Sequence, residues 1–354
     1  MQMQTLGQTV AFRKCPEEES LVTVIAHLAQ ETGLNLPDGS RIVIKPNLND
    51  LRGPYSGFTT DVRVVRALVE YLTSRCNPKE ILIVESNSWN RLAEEAFDRL
   101  GYREIESSNE KVKLVNLTKI PSVTVQSPFP TQYNRLRIPR LFMEADFFIT
   151  VAKLRTHHTI ISGALKNQFG CVPGRYKGRY HPYLNDVLST LNLLIKPDWC
   201  LIDGLIGRDV GPREVGLLIA SRDPVAVDSV SARVMGFNPG KIPHIATAAR
   251  RGIGQMDGIT VLYNGDKCTD LSSIISPKFV GQIGLSISIT SLVWILLRKG
   301  DSMKNLAYRL QQYASLLAGA GAYSKTELLR RVLDFKKLQT TLKGLRMRKA
   351  QDEI

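Results

Sequence analysis

Two hydrophobic patterns alternate along the chain. Short, almost wholly apolar runs recur at IVI (42–44), ILIV (81–84), FFITVA (147–152) and CLI (200–202), each the length of a strand buried on both faces. KVKLVNL and EVGLLIAS read as further strands, and TVAF near the start as a first one. Between them lie segments of helical period. In SLVTVIAHLAQETGL the residues Leu21, Val24, Ile25 and Leu28 share one face, and Gly33 ends the run. VRVVRALVEYLTSRC follows Thr59, Thr60 and Asp61, any of which suits a helix N-cap; RLAEEAFDRLGY is stopped by Gly101. VLSTLNLLI and DPVAVDSVSARVMG complete the set, the latter opened by Asp223 as N-cap and Pro224 at the first helical position. PSVTVQSPFPTQYNRLRIPRLFMEA, centred on 122–143, reads as an inserted hairpin with a short helix.

Strand and helix alternate over residues 39–255, which predicts an α/β fold with a doubly wound, mostly parallel sheet, in one lobe or two. Residues 1–38 read as a strand and helix packing on the core, 39–280 as the α/β domain, and 281–354 as an apolar segment followed by a basic helical extension. In such sheets, ligands bind beyond the carboxyl ends of the strands near a topological switch point. Four predicted strand ends carry polar residues: Lys45 and Asn47 around Pro46, Glu85 and Ser86, Lys153 to His157, and Asp203. The richest is DFFITVAKLRTHHTIISGALKNQFGCVPG. There a buried strand delivers Lys153, Arg155, Thr156, His157 and His158 into a turn, and a short helix-like run, IISGAL, leads to Lys166, Asn167 and Gly170. A strand end feeding cations toward a helix start is a common way to build an anion site.

Charge strengthens that reading. The 354 residues carry a net charge of +14, which points to anionic partners. Five scattered cysteines without a C-x-x-C pair exclude zinc-ribbon and local iron–sulfur motifs and predict reduced thiols in a cytoplasmic setting. The first residues lack the pattern of a signal peptide. GLSISITSLVWILL (284–297) is shorter than the roughly 20 residues of a spanning helix. The basic stretch after it suits a membrane-surface element or helices with solvated cationic faces, and no nucleic-acid-binding motif accompanies the charge.

The chemistry expected at the strand ends is acid–base. Lys45, Lys153, Arg155 and Lys166 suit a carboxylate or phosphate, Arg155 by a bidentate grip. Crowding of cations favours a neutral amine near pH 7, and His157 suits a share of the proton work, oriented by Glu85 or Asp203. Asn47 and Asn167 are natural donors to a developing oxyanion, and Thr156 adds a hydroxyl. Lys153, His157, Lys166, Glu85 and Asp203 are thus the catalytic candidates; Lys45, Asn47, Arg155, Thr156 and Asn167 are the substrate-binding ones. His181 sits in a basic, aromatic loop suited to closing over substrate, and Asp228 suits pairing with a core cation. No cofactor is expected. The rival chemistry is a divalent metal on His157, Glu85 and Asp203, although no H-x-x-x-H spacing supports it. The rival function is a non-catalytic ligand-binding or membrane-peripheral protein working through 281–354.

The runs KPN (45–47), AKLRTH (152–157) with its alanine-aspartate lead-in, LKNQFG (165–170), IDG (202–204), SRDPVAVD (221–228) and IPHIATAARRGIG (242–254) resemble the DUF362 family in order and spacing. Many members carry a ferredoxin-like cysteine module, which this chain lacks, so the resemblance implies no redox role by that route. The family's usual K-x-K-T-H lysine is Arg155 here, which leaves Lys45, Lys153 and Lys166 as amines. The resemblance extends at the level of architecture to the nickel-pincer lactate racemase fold, which would imply two α/β lobes with a cleft.

Overall fold

The sheet is built outward from the strand that ends in Lys45. The computed structural model describes residues 8–89, 91–129, 135–157, 160–208 and 211–271. The 281–354 extension, the first seven residues, His158 and the middle of the 122–143 insertion lie outside them. β1 (Thr9–Lys14) is followed by α1 (Leu21–Glu31), capped by the Ser20 side chain, and by β2 (Arg41–Pro46). α2 (Val62–Cys76) takes Asp61 as its N-cap and leads to β3 (Glu80–Glu85). The next predicted helix is α3 (Ala93–Arg99), which ends before Gly101 at φ +81°; α4 (Tyr102–Ser108), beyond the predicted helix, and β4 (Val112–Asn116) follow. The insertion forms an antiparallel pair, β5 (Ser122–Gln126) with β6 (Arg135–Pro139), and the short α5 (Leu141–Glu144).

β7 (Phe147–His157) and β9 (Trp199–Arg208) are longer than their apolar runs, so Asp203 lies inside its strand rather than at its end. Between them, Ile160–Ser162 forms the short strand β8 instead of a helix. α6 is a single turn, Ala164–Asn167, and α7 (Leu184–Leu194) packs behind it. β10 (Pro212–Ser221) returns antiparallel to β9, which breaks the strand–helix alternation; α8 (Pro224–Val234), α9 (Pro243–Arg250), β11 (Thr260–Tyr263) and β12 (Asp266–Lys267) close the described chain.

Among the described residues the main sheet runs β12-β11-β1-β10-β9-β7-β2-β3-β4, with β8 appended to β7. β4, β3, β2, β7 and β9 are mutually parallel. Period-two alternation splits their apolar residues between two faces. Ile42, Ile44, Ile81, Ile83, Ile149, Val151 and Leu201 join the core beneath α1 to α4; Val43, Leu82, Val84 and Phe148 join the core beneath α7. From β2 the chain moves outward to β3 and β4, then crosses to place β7 on the other side of β2. The switch point therefore lies between β2 and β7, at the ends that carry Lys45 and Lys153.

At the start of α8, Asp223 accepts hydrogen bonds from Val225 N (2.7 Å) and Ala226 N (3.0 Å), and from Gln255 N (2.8 Å) beyond α9. One buried carboxylate thus satisfies donors from two segments. Asp223→Ala should cost about 2 kcal/mol, because all three N–H groups lose their acceptor, and Asp223→Asn should recover much of it. Urea unfolding of the three proteins checks this.

Candidate functional site

The register of the parallel pair β7 and β9 sets Lys153 directly opposite Asp203. Their side chains share a face and meet at 2.8 Å, both fully buried. Asp203 Oδ2 also accepts from Asp61 N (2.7 Å), and Oδ1 from Leu205 N (3.0 Å). The same carboxylate therefore fixes the start of α2 against the sheet. Thr60 adds a second tie, donating to Val151 O (2.8 Å) while accepting from Asn47 N (2.9 Å). Asn47 itself is buried in this turn.

A second pair lies on the other side of the switch point. Lys45 Nζ meets Glu85 Oε2 at 2.8 Å, with Arg91 Nη2 at 3.4 Å from the same oxygen. Leu48 N (3.1 Å) and Ser86 N (2.8 Å) complete the shell of Glu85. Burial alone would raise this carboxyl, yet Lys45, Arg91 and Lys177 hold it at about 2. Gly170 makes the geometry feasible: a Cβ there would sit 2.7 Å from Lys45 Cε. Lys177 Nζ donates to Ser86 Oγ, which donates to Gly170 O. Burial brings the Lys177 amine down to about 7 against the pull of Glu85.

Asn167 bridges the switch point. Its Nδ2 donates to Lys45 O (2.9 Å) on β2 and to Thr150 Oγ1 (2.8 Å) on β7. Both amide hydrogens are engaged, so Asn167 is a clasp between strands rather than the oxyanion donor its residue type suggested. Asp228 does not pair with a cation. It accepts from Ala164 N (2.6 Å) and Leu165 N (3.0 Å) at the start of α6, and burial pushes its carboxyl up to about 7 against those bonds.

Two candidates stand apart from these pairs. Arg155 is 1% exposed, and among the described residues its Nε and Nη2 have no hydrogen-bond partner. Burial, with Arg208 and Arg52 nearby, lowers its guanidinium to about 10 against the influence of Asp50. Lys166 is 9% exposed. Burial first, and Arg155 second, bring its amine down to about 7, and among the described residues no carboxylate acts on it. Lys166 in turn helps burial to lower His181, to about 4, and His244, to about 3. His244 is buried with Nε2 unpartnered. Thr156 is half-buried on β7 beyond Arg155; His157 belongs to the same strand, its side chain outside the described residues.

The structure therefore brings Lys45 to Glu85, Lys153 to Asp203, and Lys166 near Arg155; among the described side chains neither acid meets a histidine. Sequence reasoning passed over Arg91, Lys177, Arg52, Arg208 and His244. Arg52, Arg208 and Lys177 sit in segments read as loops, and Arg91 opens a segment read as a helix; in either place charge alone gives no signal. Among the described residues no cluster of three or more His, Cys, Asp or Glu could hold a metal ion. Glu85 and Asp203, two of the three ligands considered, each already answer a lysine.

The chain belongs to the family described as Domain of unknown function (DUF362), whose model matches residues 42–233. A thylakoid-associated protein of Synechocystis sp. is 28% identical over 234 residues, covering 61% of this chain and 69% of that protein. Among solved structures, the lactate racemase apoprotein from Thermoanaerobacterium thermosaccharolyticum overlaps 64% of this chain with a TM-score of 0.38 and 12% identity. The chain spans 56% of that structure's length.

Breaking a buried ion pair leaves one charge uncompensated, at a cost of roughly 3 to 5 kcal/mol. Lys153→Met and Asp203→Asn should each lower stability by about that amount, and the double substitution by less than the sum. Chemical denaturation of the four proteins measures the coupling.

Proposed function

We propose that this protein is an enzyme acting on a small anionic substrate, carboxylate- or phosphate-bearing, by general acid–base chemistry of isomerase, lyase or cyclase type. The observation that carries this reading is the contrast between paired and unpaired buried cations. Lys45 and Lys153 have acids at 2.8 Å, whereas among the described residues Arg155 and Lys166, also buried, form no ion pair. Holding an uncompensated charge in a fold is costly, and an anionic ligand removes that cost. Arg155 anchors the anion, with Thr156 beside it. Lys166, with an amine near 7, abstracts and returns the proton, sharing that work with His157. The pairs Lys45–Glu85 and Lys153–Asp203, with Asn47 and Asn167, hold the strand ends at the distances this requires.

The Lys166 amine is charged below pH 7 and neutral above. Anion affinity should therefore fall from pH 6 to 8, while turnover that needs a base should rise over the same interval. A thermal-shift panel of carboxylates and phosphates at three pH values tests this, with Lys166→Met as control. A response in Lys166→Met equal to the wild type, at every pH, would remove Lys166 from the site. Stability gives a second readout. The unfolded chain keeps the lysine proton up to about 10.5 and the folded chain only to about 7, so stability rises with pH between them. Lys166→Met should show a smaller rise, Lys177 supplying the remainder.

A second reading, membrane-peripheral association through the basic 281–354 region, is favoured by the similarity to a thylakoid-associated Synechocystis protein and by the net charge of +14. No helix among the described residues is long and apolar enough to cross a membrane. Full-length protein should co-sediment with vesicles containing phosphatidylglycerol at low salt, and a chain ending at residue 280 should not. Failure of the full-length protein to sediment would end this reading.

A further inference from the structure

Three helices pack against the single turn of α6 that carries Lys166: α7, α8 and α9. Two of them engage its backbone. Asp228 on α8 accepts from Ala164 N (2.6 Å) and Leu165 N (3.0 Å), and Asn192 Nδ2 on α7 donates to Leu165 O (2.9 Å). α9 offers something else. Its buried residues are His244, Ile245, Ala246 and Ala248, so His244, 1% exposed, is the one buried polar side chain of that helix. Among the described residues its Nε2 has no hydrogen-bond partner. A nitrogen withdrawn from water without a partner is a cost that an apolar residue of the same size would avoid.

The place of His244 in its helix decides its charge. Pro243 opens α9, so His244 stands in the first turn, where the positive end of the helix dipole opposes an imidazolium. Burial opposes it further, and the charge of Lys166 acts in the same direction. That last influence also sets the two groups in one neighbourhood. A neutral imidazole can stabilise negative charge by donating a hydrogen bond, without adding a further cation beside Lys166. Proton abstraction next to a carbonyl or carboxylate needs such a donor, because the electrons released from the C–H bond end on oxygen. Asn167, the residue type first suited to that task, has both amide hydrogens engaged elsewhere.

We propose that His244 is a further catalytic residue, its Nε2–H donating to the substrate oxygen on which negative charge develops as Lys166 takes the proton. This rests on the acid–base reading above and names the group that holds the oxyanion. The step balances within the site. The C–H bond breaks, its proton goes to neutral Lys166, its electron pair forms a carbon–carbon π bond, and the carbonyl π electrons move to oxygen. His244 keeps its own proton throughout. Returning the proton reverses each movement, so no oxidant, reductant or co-reactant is required. The substrate is then an anion with a carbonyl or carboxyl oxygen next to its labile C–H, and Arg155 meets its charged group.

Oxalate and acetate serve as probes on the full-length protein. Oxalate carries anionic oxygen beside its first carboxylate, where an enolate carries its charge; acetate offers the carboxylate alone. In calorimetric titrations at pH 6.5, His244→Leu, apolar and of similar size, should lose about tenfold in oxalate affinity and nothing in acetate affinity. His244→Gln, whose amide nitrogen reaches the position of Nε2, should recover most of that loss. A second measurement needs no substitution: proton–nitrogen correlation spectra of the wild type should show His244 neutral at pH 6.5, with its proton on Nε2. An imidazolium there, or a proton on Nδ1 instead, would overturn the proposal. So would unchanged oxalate affinity in His244→Leu, or an equal loss of both ligands, while the anion-binding reading stands in either case. Binding of neither ligand by the wild type at millimolar concentration would overturn both.

Discussion

A charged group withdrawn from water must meet its opposite inside the fold, and the carboxyl edge of this sheet is laid out around that requirement. The register of β7 against β9 puts Lys153 beside Asp203 before any loop is considered. Asp203 then receives the backbone N–H of Asp61, and Asp61 caps α2. One ion pair thereby connects the central strands to the first helix of the parallel half. It also sets the height at which the loop carrying Phe58 crosses the strand ends. Loss of that pair would free the loop as well as the lysine.

Against this background the unpaired cations acquire meaning. Buried ion pairs contribute little net stability over apolar residues of similar size, so their value here is positional. Among the described residues Arg155 and Lys166 are buried without an ion-pair partner. They are the places where the fold accepts a cost that packing does not return, and such places concentrate at functional sites. The position of Lys166 is itself delicate: α6 is one turn long and begins on hydrogen bonds to a carboxylate from α8.

Much of this was legible in the residues. Apolar runs of strand length gave β2, β3, β7 and β9, and the polar residues that follow them marked Lys45, Glu85, Lys153 and Asp203 as strand-end positions, without showing which would pair. The helix cap at Asp223 followed from residue type, and Asp61 was one of three neighbouring residues suited to cap α2. Three things were not legible. β7 and β9 overrun their apolar segments because they continue beyond the parallel ladder, β7 pairing there with β8 and β9 with β10; polarity in those positions mimics a loop. Ile160–Ser162 is apolar enough for either helix or strand, and its length decides nothing. Arg52, Arg155 and Arg208 come from three separate segments of the chain, and no local pattern announces that they influence one another.

Asn167 has a further mechanical consequence. Its amide group ties the backbone of β2 to the side chain of Thr150 on β7 at the one place where a doubly wound sheet divides. A crevice stitched in this way is a rigid slot: its two walls keep their spacing, and a clamshell motion would first have to tear a buried amide from both acceptors.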